Sequence, residues 1–257
     1  MKIYLVLLGI TILSAFVLFL IPPIPQWDSY HHFADDRKIL GISNFGNVVS
    51  NAPLAFIGFW GLISVRREWL AKKFIDWREV VPFVVIFLGL ILTAIGSTYY
   101  HLNPDNYRLV WDRLPMTLVF TALVSLTIME RVNFNVGFWL LPFLILAGFG
   151  SVWYWIWGEG FGRGDLRPYI FIQFYGLILI LLIIYFFPKP YPSAKSFLWM
   201  IALYFIARVF EYTDLHVFQM ADGMISGHTL KHLFAAFSSY WIVVMVNELS
   251  QRDLGSK

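Results

Sequence analysis

Eight long apolar stretches constrain the fold of this chain more than any other feature of its sequence. A helix needs about 20 mainly apolar residues to cross the hydrocarbon core of a bilayer. The stretches cover residues 3–21, 45–65, 80–100, 114–129, 136–156, 169–187, 197–212 and 229–246. The sequence therefore predicts an all-α, polytopic membrane helix bundle. No internal repeat divides the chain, which favours a single integral membrane domain over residues 1–257.

Composition supports a membrane protein and excludes several functions. Charged residues make up 14% of the chain, against about 25% in soluble domains. The net charge is +3, and no Lys- and Arg-rich tract is interleaved with aromatic residues, so nucleic acid is not expected as a partner. Because the chain has no cysteine, any metal must be held by His, Asp or Glu.

The topology is predicted from the ends of the stretches. The first stretch resembles a signal peptide, but Pro22 and Pro23 follow it and no cleavage site of small residues is present, so an uncleaved helix is favoured. With the N-terminus inside, 11 loop Lys and Arg residues lie on the cytoplasmic side and 6 on the outer side. Both termini are therefore predicted to be cytoplasmic, and the compact loops favour a bacterial inner membrane protein.

Five polar residues collect where these helices meet the predicted outer face. Ser97 and His101 lie four residues apart at the end of the third stretch and share one helix face. Asp112 follows a short loop, near the start of the fourth stretch. His228 and His232 have the same four-residue spacing at the start of the last stretch. Ionisable residues at helix depth are costly and indicate a functional site.

The residue types match a catalytic metal site. Zinc in such sites takes three protein ligands and leaves a fourth position for water. His101, His228 and His232 would complete this set, and zinc would lower the pKa of the water that attacks the substrate. Asp112 would serve as general base, and Ser97 would donate a hydrogen bond to the developing oxyanion.

Simpler interpretations of these residues stay open. A pair of histidines four apart is also found at polar helix starts near the membrane interface. A serine in a membrane helix most often bonds its own backbone, and an aspartate at a helix start is favoured by the helix dipole. The convergence of three separate segments on one membrane face favours the metal site.

Other polar groups surround this cluster. A polar stripe opens the second stretch and comprises Asn44, Asn47, Ser50 and Asn51. These side chains would either orient metal ligands or form hydrogen bonds between helices, and the second role is the commoner one. Arg208 and Glu211 are expected to form an ion pair.

Four polar residues of the predicted outer loops lie outside the five-residue cluster. Asp214 and His216 follow the seventh stretch and would flank the site. His31 and His32 are adjacent and therefore point in different directions. A solvated loop is the expected setting for both of these histidines.

The motif resembles that of a known family. A serine four residues before a histidine, then an aspartate, then His-x-x-x-His on the last helix is the pattern of the alkaline ceramidases. Three parts of this sequence match that pattern in the same order: Gly96 to His101, then Asp112, then His228 to His232. These enzymes belong to the CREST group of membrane hydrolases, together with the adiponectin-receptor-like proteins. The resemblance covers residues 28–246.

The resemblance implies a fold, a substrate and roles. A seven-helix core would hold zinc through His101, His228 and His232, with Ser97 and Asp112 as the catalytic pair. The substrate would be a membrane lipid amide such as ceramide, hydrolysed to a fatty acid and a sphingoid base. A receptor or sensor with structural zinc, and a hydrolase of another lipid class, remain alternatives within the same fold. A transporter would carry its polar residues nearer the bilayer midplane.

Two features depart from the resemblance. The stretch at residues 3–21 precedes the seven-helix core, so eight helices are predicted rather than seven. Eukaryotic members bind calcium through acidic residues just before the core. Here that region offers Asp28, Asp35 and Asp36 at a different spacing, and Asn44 stands where an acidic ligand is expected. Calcium binding is therefore not expected.

Overall fold

The fold is helical throughout the part of the chain that the computed structural model describes, residues 2–188 and 193–249. About 80% of these described residues are helical, and none of them lies in a β-strand. The helices are α1 (Lys2–Leu20), α2 (Phe45–Val49), α3 (Ala52–Leu70), α4 (Val80–Leu102), α5 (Asn106–Arg131), α6 (Phe134–Glu159), α7 (Arg167–Ile170), α8 (Gly176–Phe186), α9 (Ser193–Tyr212), α10 (Asp214–Met220) and α11 (Gly227–Leu249). A π-helical turn, Phe171–Tyr175, joins α7 to α8.

The helices confirm the prediction of an all-α integral membrane protein. Within the described ranges, seven are long and apolar enough to cross a bilayer, and an eighth is gained if α9 and α10 are counted as one bent span. All eight predicted stretches coincide with these segments. The structure differs from the predicted stretches at two helix breaks, which hydropathy does not detect. The second stretch is divided between α2 and α3, and α10 follows α9 at an angle of 79°.

The chain forms two compact units. The first contains residues 2–27 and 116–188, and the second contains residues 28–115 and 193–249, with α5 divided between them at Pro115. The single integral membrane domain stays a prediction.

In the first unit, a buried ion pair secures the chain beyond α1. The Arg167 guanidinium donates hydrogen bonds to both carboxylate oxygens of Asp165 and to the carbonyl oxygens of Phe19 and Ile21, at the end of α1. Farther along α1, the hydroxyl of Tyr175 donates to Thr11 Oγ1 at 2.7 Å. Polar contacts therefore hold α1, whose side chains are otherwise largely exposed, against α7 and the π-helical turn.

The second unit is built on α3, α4, α9 and α11. Helix α11 packs against α9 and α3, and α3 packs against α4. Glycines permit the close approach of α3 to α4, as is common between membrane helices. A Cβ at Gly58 would lie 2.9 Å from the carbonyl oxygen of Phe87, and one at Gly61 would collide with the Phe87 ring. This packing brings the polar ends of α4 and α11 together.

Candidate metal centre

Three histidines of the second unit converge in a buried cluster, which we call the histidine cage. His101 lies in the last turn of α4, and His228 and His232 lie in the first turns of α11. One ring nitrogen from each lies within 4.8 Å of those of the other two. All three side chains are buried. The four-residue spacing on α11 therefore directs both of its imidazoles towards His101.

The cage fits a small divalent metal ion. The Nε2 atoms of His101 and His228 are 3.3 Å apart. Two nitrogens bound to one tetrahedral zinc at about 2.0–2.1 Å would be roughly 3.3–3.4 Å apart. Three buried imidazoles that bring one nitrogen each to a common point form a donor set that zinc accepts. The three histidines therefore suit a site completed by a bound group.

The polar stripe, which runs from the residue before α2 to the turn after it, contacts two of these histidines. The hydroxyl of Ser50 lies 2.8 Å from Nδ1 of His232, which leaves Nε2 of that ring for the cage. Asn44 donates a hydrogen bond to the carbonyl oxygen of His101 at 2.8 Å. Such contacts fix the orientation of metal-binding histidines. Ser50 thus has the ligand-orienting geometry considered from the sequence.

The rest of the stripe makes structural hydrogen bonds. Oδ1 of Asn47 accepts a hydrogen bond from the hydroxyl of Thr229 at 3.1 Å, which ties α2 to α11. Asn51 donates to the carbonyl oxygen of Asn47, within its own segment. The stripe therefore combines both roles expected from the sequence, ligand orientation at Ser50 and bonding between helices at Asn47.

Ser97 and Asp112 form a second buried group, one helical turn before His101. The side chain of Ser97 lies beside the Asp112 carboxylate. The two helices can approach this closely because residue 96 is glycine. A Cβ at Gly96 would collide with the carbonyl oxygen of Trp111 and lie 3.1 Å from the backbone nitrogen of Asp112. The sequence Gly96-Ser97 thus places the hydroxyl beside the carboxylate.

An aromatic ring from the loop before α2 lies over the cage. The ring centroid of Phe33 is 4.7 Å from that of His101 and 4.6 Å from that of His228. Asp214 holds this loop, since it accepts hydrogen bonds from the backbone nitrogens of Ala34 at 2.9 Å and His228 at 2.7 Å. Asp214 therefore flanks the site as expected, whereas His216 is exposed. Phe33 gave no signal in the sequence, because its contacts are with distant helices.

The interpretation of His31 as a solvated loop residue was wrong. Its Nδ1 lies 2.9 Å from the hydroxyl of Tyr100, and its Nε2 lies 2.9 Å from Oδ1 of Asn106. These bonds join the loop to the end of α4 and the start of α5. His32 is exposed, as expected. In the same loop, both carboxylate oxygens of Asp35 accept hydrogen bonds from the guanidinium of Arg37.

A charged network adjoins the cage. The ammonium of Lys231 donates to Oε1 of Glu211 at 2.8 Å and lies 3.4 Å from Nε2 of His228. Glu211 also forms the expected ion pair with Arg208. The hydroxyl of Tyr30 donates to Glu211 at 3.1 Å, and burial raises the pKa of that phenol, which keeps it protonated.

The position of Lys231 beside the cage was missed from the sequence. The signal available was its place three residues after His228, which puts both side chains on one face of α11.

Comparison with known proteins finds two that are named as alkaline ceramidases, one of them putatively. The alkaline ceramidase of Arabidopsis thaliana is 26% identical over 211 residues, which cover 77% of this chain and 74% of that protein. A protein of Dictyostelium discoideum named "Putative alkaline ceramidase dcd3A" is 29% identical over 101 residues, which cover 36% of this chain and 34% of that protein. No profile of a known protein family matches the sequence.

Proposed function

We propose, on the premise that this chain belongs to the alkaline ceramidase family, that it is a zinc-dependent hydrolase of a lipid amide bond. The substrate is a ceramide-like N-acyl sphingoid lipid, and the products are a fatty acid and a sphingoid base. One observation carries the proposal: a buried cage of three histidines lies one helical turn from a buried serine that neighbours a buried aspartate. Relatives that are alkaline ceramidases support the amide substrate.

The histidine cage would hold the metal through His101, His228 and His232. A metal ion held there supplies an activated water and polarises the carbonyl group of the amide. Ser50 fixes the ring of His232, and Phe33 covers the rings of His101 and His228. The chain thereby orients its ligands and limits the access of bulk water to them.

Asp112 and Ser97 would carry out the proton transfers. Asp112 takes a proton from the attacking water and later delivers it to the amide nitrogen, which leaves as an amine. Ser97, which lies beside the carboxylate, would hydrogen-bond to it and keep it in one orientation through both transfers. This role replaces the oxyanion contact that we expected for Ser97 from the sequence. A purely structural metal would need no such pair, which favours an enzyme over a sensor of the same fold.

We also propose that the site opens towards the outer face of a bacterial inner membrane, with both termini in the cytoplasm. The excess of Lys and Arg in the opposite loops supports this orientation. His101 at the end of α4 and His228 at the start of α11 lie at helix ends on the predicted outer side. The proposed substrate would therefore come from the outer leaflet.

Gly96→Ala tests the close approach that places Ser97 beside Asp112. The added methyl group collides with the backbone of α5, so the two helices must separate. A misplacement of about 1 Å at a catalytic group costs about 10²-fold in rate. We expect such a fall in amide hydrolysis with the metal content unchanged. Gly150→Ala is the matched control, since a Cβ there meets no atom within 4 Å. Wild-type activity in Gly96→Ala would contradict the assigned geometry.

The function is tested by measuring fatty acid release from a panel of lipids in mixed micelles. The panel contains ceramides of several acyl lengths, other N-acyl lipids and the corresponding esters. The proposal predicts turnover of N-acyl sphingoid lipids by the wild type and by His216→Ala, whose exposed histidine lies outside the cage. Turnover of esters without amides would overturn the amide substrate. No turnover of any lipid would overturn the hydrolase.

A further inference from the structure

Lys231 places a cation inside the site without belonging to the histidine cage or to the Ser97–Asp112 pair. Its side chain is 15% exposed, and its ammonium lies 3.4 Å from Nε2 of His228. The ammonium also interacts electrostatically with the carboxylate of Asp112. A positive charge beside metal ligands opposes the binding of a metal cation. The presence of Lys231 therefore points to a function that outweighs the weaker binding of the metal.

Glu211 fixes both the position and the charge of this lysine. Its Oε1 accepts a hydrogen bond from the ammonium at 2.8 Å, and its side chain is 10% exposed. Tyr30 donates to the same oxygen, and Arg208 pairs with the same carboxylate. A buried ion pair of this kind holds its lysine in one geometry, so the ammonium is preorganised instead of being ordered during the reaction.

The Lys231 ammonium has more hydrogen-bond donors than its contacts within the protein use. An ammonium carries three N–H donors, whereas a serine hydroxyl carries one. The Ser97 hydroxyl lies beside the Asp112 carboxylate, to which we assign its donor. In the described part of the chain, the ammonium contacts Glu211 and His228, and Nε2 of His228 is the atom that a metal ion would take. Lys231 therefore retains donors for an acceptor that the substrate supplies.

We propose that Lys231 is a catalytic residue that binds the oxygen of the scissile carbonyl. This inference rests on the proposed amide hydrolysis. As water adds to the carbonyl carbon, the carbonyl oxygen gains negative charge and accepts a hydrogen bond from the ammonium. The C–N bond then breaks, and the amine leaves with the proton that Asp112 took from the water. The remaining proton of the added hydroxyl passes to the released amine, and the same ammonium binds the carboxylate of the fatty acid. Lys231 keeps its own protons throughout.

Two measurements on the zinc-loaded, full-length protein test this role. In Lys231→Met we expect kcat for ceramide hydrolysis to fall by about 10²–10³-fold, the usual loss when an oxyanion donor is removed. We also expect the affinity for myristate, measured by calorimetry without turnover, to fall at least about 10-fold, since an anion loses its cation. Lys231→Arg keeps the charge and should restore much of the myristate affinity. Lys195→Met, which removes an exposed lysine of α9, should change neither quantity.

The possible failures are distinguishable. Unchanged kcat and myristate affinity in Lys231→Met would overturn the role of the lysine and leave the amide hydrolase standing. Loss of zinc from that variant would make Lys231 a structural support of the cage and would also overturn the proposal. Glu211→Gln/Lys231→Met removes both charges and serves if the single variant unfolds. If the wild type cleaves no lipid, the proposed function fails, while myristate binding still decides whether Lys231 binds anions.

Discussion

Asp112→Asn will lower kcat for lipid amide hydrolysis by about 10³-fold, within the range expected for loss of a general base. Asparagine keeps the shape of the side chain and its contact with Ser97, but it cannot accept the proton of the attacking water. Because Asp112 is not one of the three cage histidines, the zinc content should not change. The rate of fatty acid release and metal analysis of the same preparation measure both effects.

Ser97→Ala should have a smaller effect than Asp112→Asn. The alanine removes the hydroxyl that lies beside the carboxylate, and the rate should fall about 10²-fold because Asp112 loses the contact proposed to orient it. Asp222→Asn is the matched control for Asp112→Asn. This aspartate is exposed, and asparagine tolerates its positive φ of 49°. Equal rates in wild type, Asp112→Asn and Ser97→Ala would refute the proposed proton transfers.

His228→Ala will abolish both metal binding and hydrolysis. With one of three protein ligands removed, His101 and His232 alone form a weak site, and zinc should be lost on dialysis. The expected metal content is near zero, against about one zinc per chain for the wild type. His101→Ala should behave in the same way, because its Nε2 lies 3.3 Å from that of His228.

Exposed histidines provide the controls for this experiment. His32 and His216 are both exposed and lie outside the cage. Their alanine variants should retain zinc and turn over ceramide at the wild-type rate. Full zinc occupancy in His228→Ala would show that the metal ligands have been assigned wrongly.

The helices and the histidine cage were predictable because both depend on local patterns. Runs of about 20 apolar residues define membrane helices without reference to tertiary contacts. The spacing of His228 and His232 places two imidazoles on one side of α11 wherever that helix packs. The convergence of α4 on the same point was an inference from topology, and the structure brings His101 within reach of both.

The surroundings of the cage were less predictable because they depend on contacts between distant segments. Phe33 covers rings of α4 and α11 that lie far along the chain. His31 bonds to Tyr100 across 69 residues, so no local pattern distinguishes it from the exposed His32. Lys231 lies between His228 and His232 in the sequence, but its ammonium is positioned by Glu211, 20 residues earlier on α9. The sequence around Lys231 does not show that contact.

Glycine and helix breaks show a further limit of local patterns. Glycine is common in membrane helices, so Gly96 does not stand out in the sequence. Only the approach of α5 leaves no room for a side chain there. The break between α2 and α3 was masked by continuous hydropathy, although it turns Ser50 towards His232. Packing, which hydropathy does not record, decides both features.

Removal and return of the metal test the central claim most directly. The purified wild-type protein is stripped with a chelator, and fatty acid release from ceramide is measured before stripping, after stripping and after addition of zinc. If the cage holds a catalytic zinc, activity will disappear on stripping and return when one zinc per chain is restored. Undiminished ceramide hydrolysis by the metal-free protein would contradict the account.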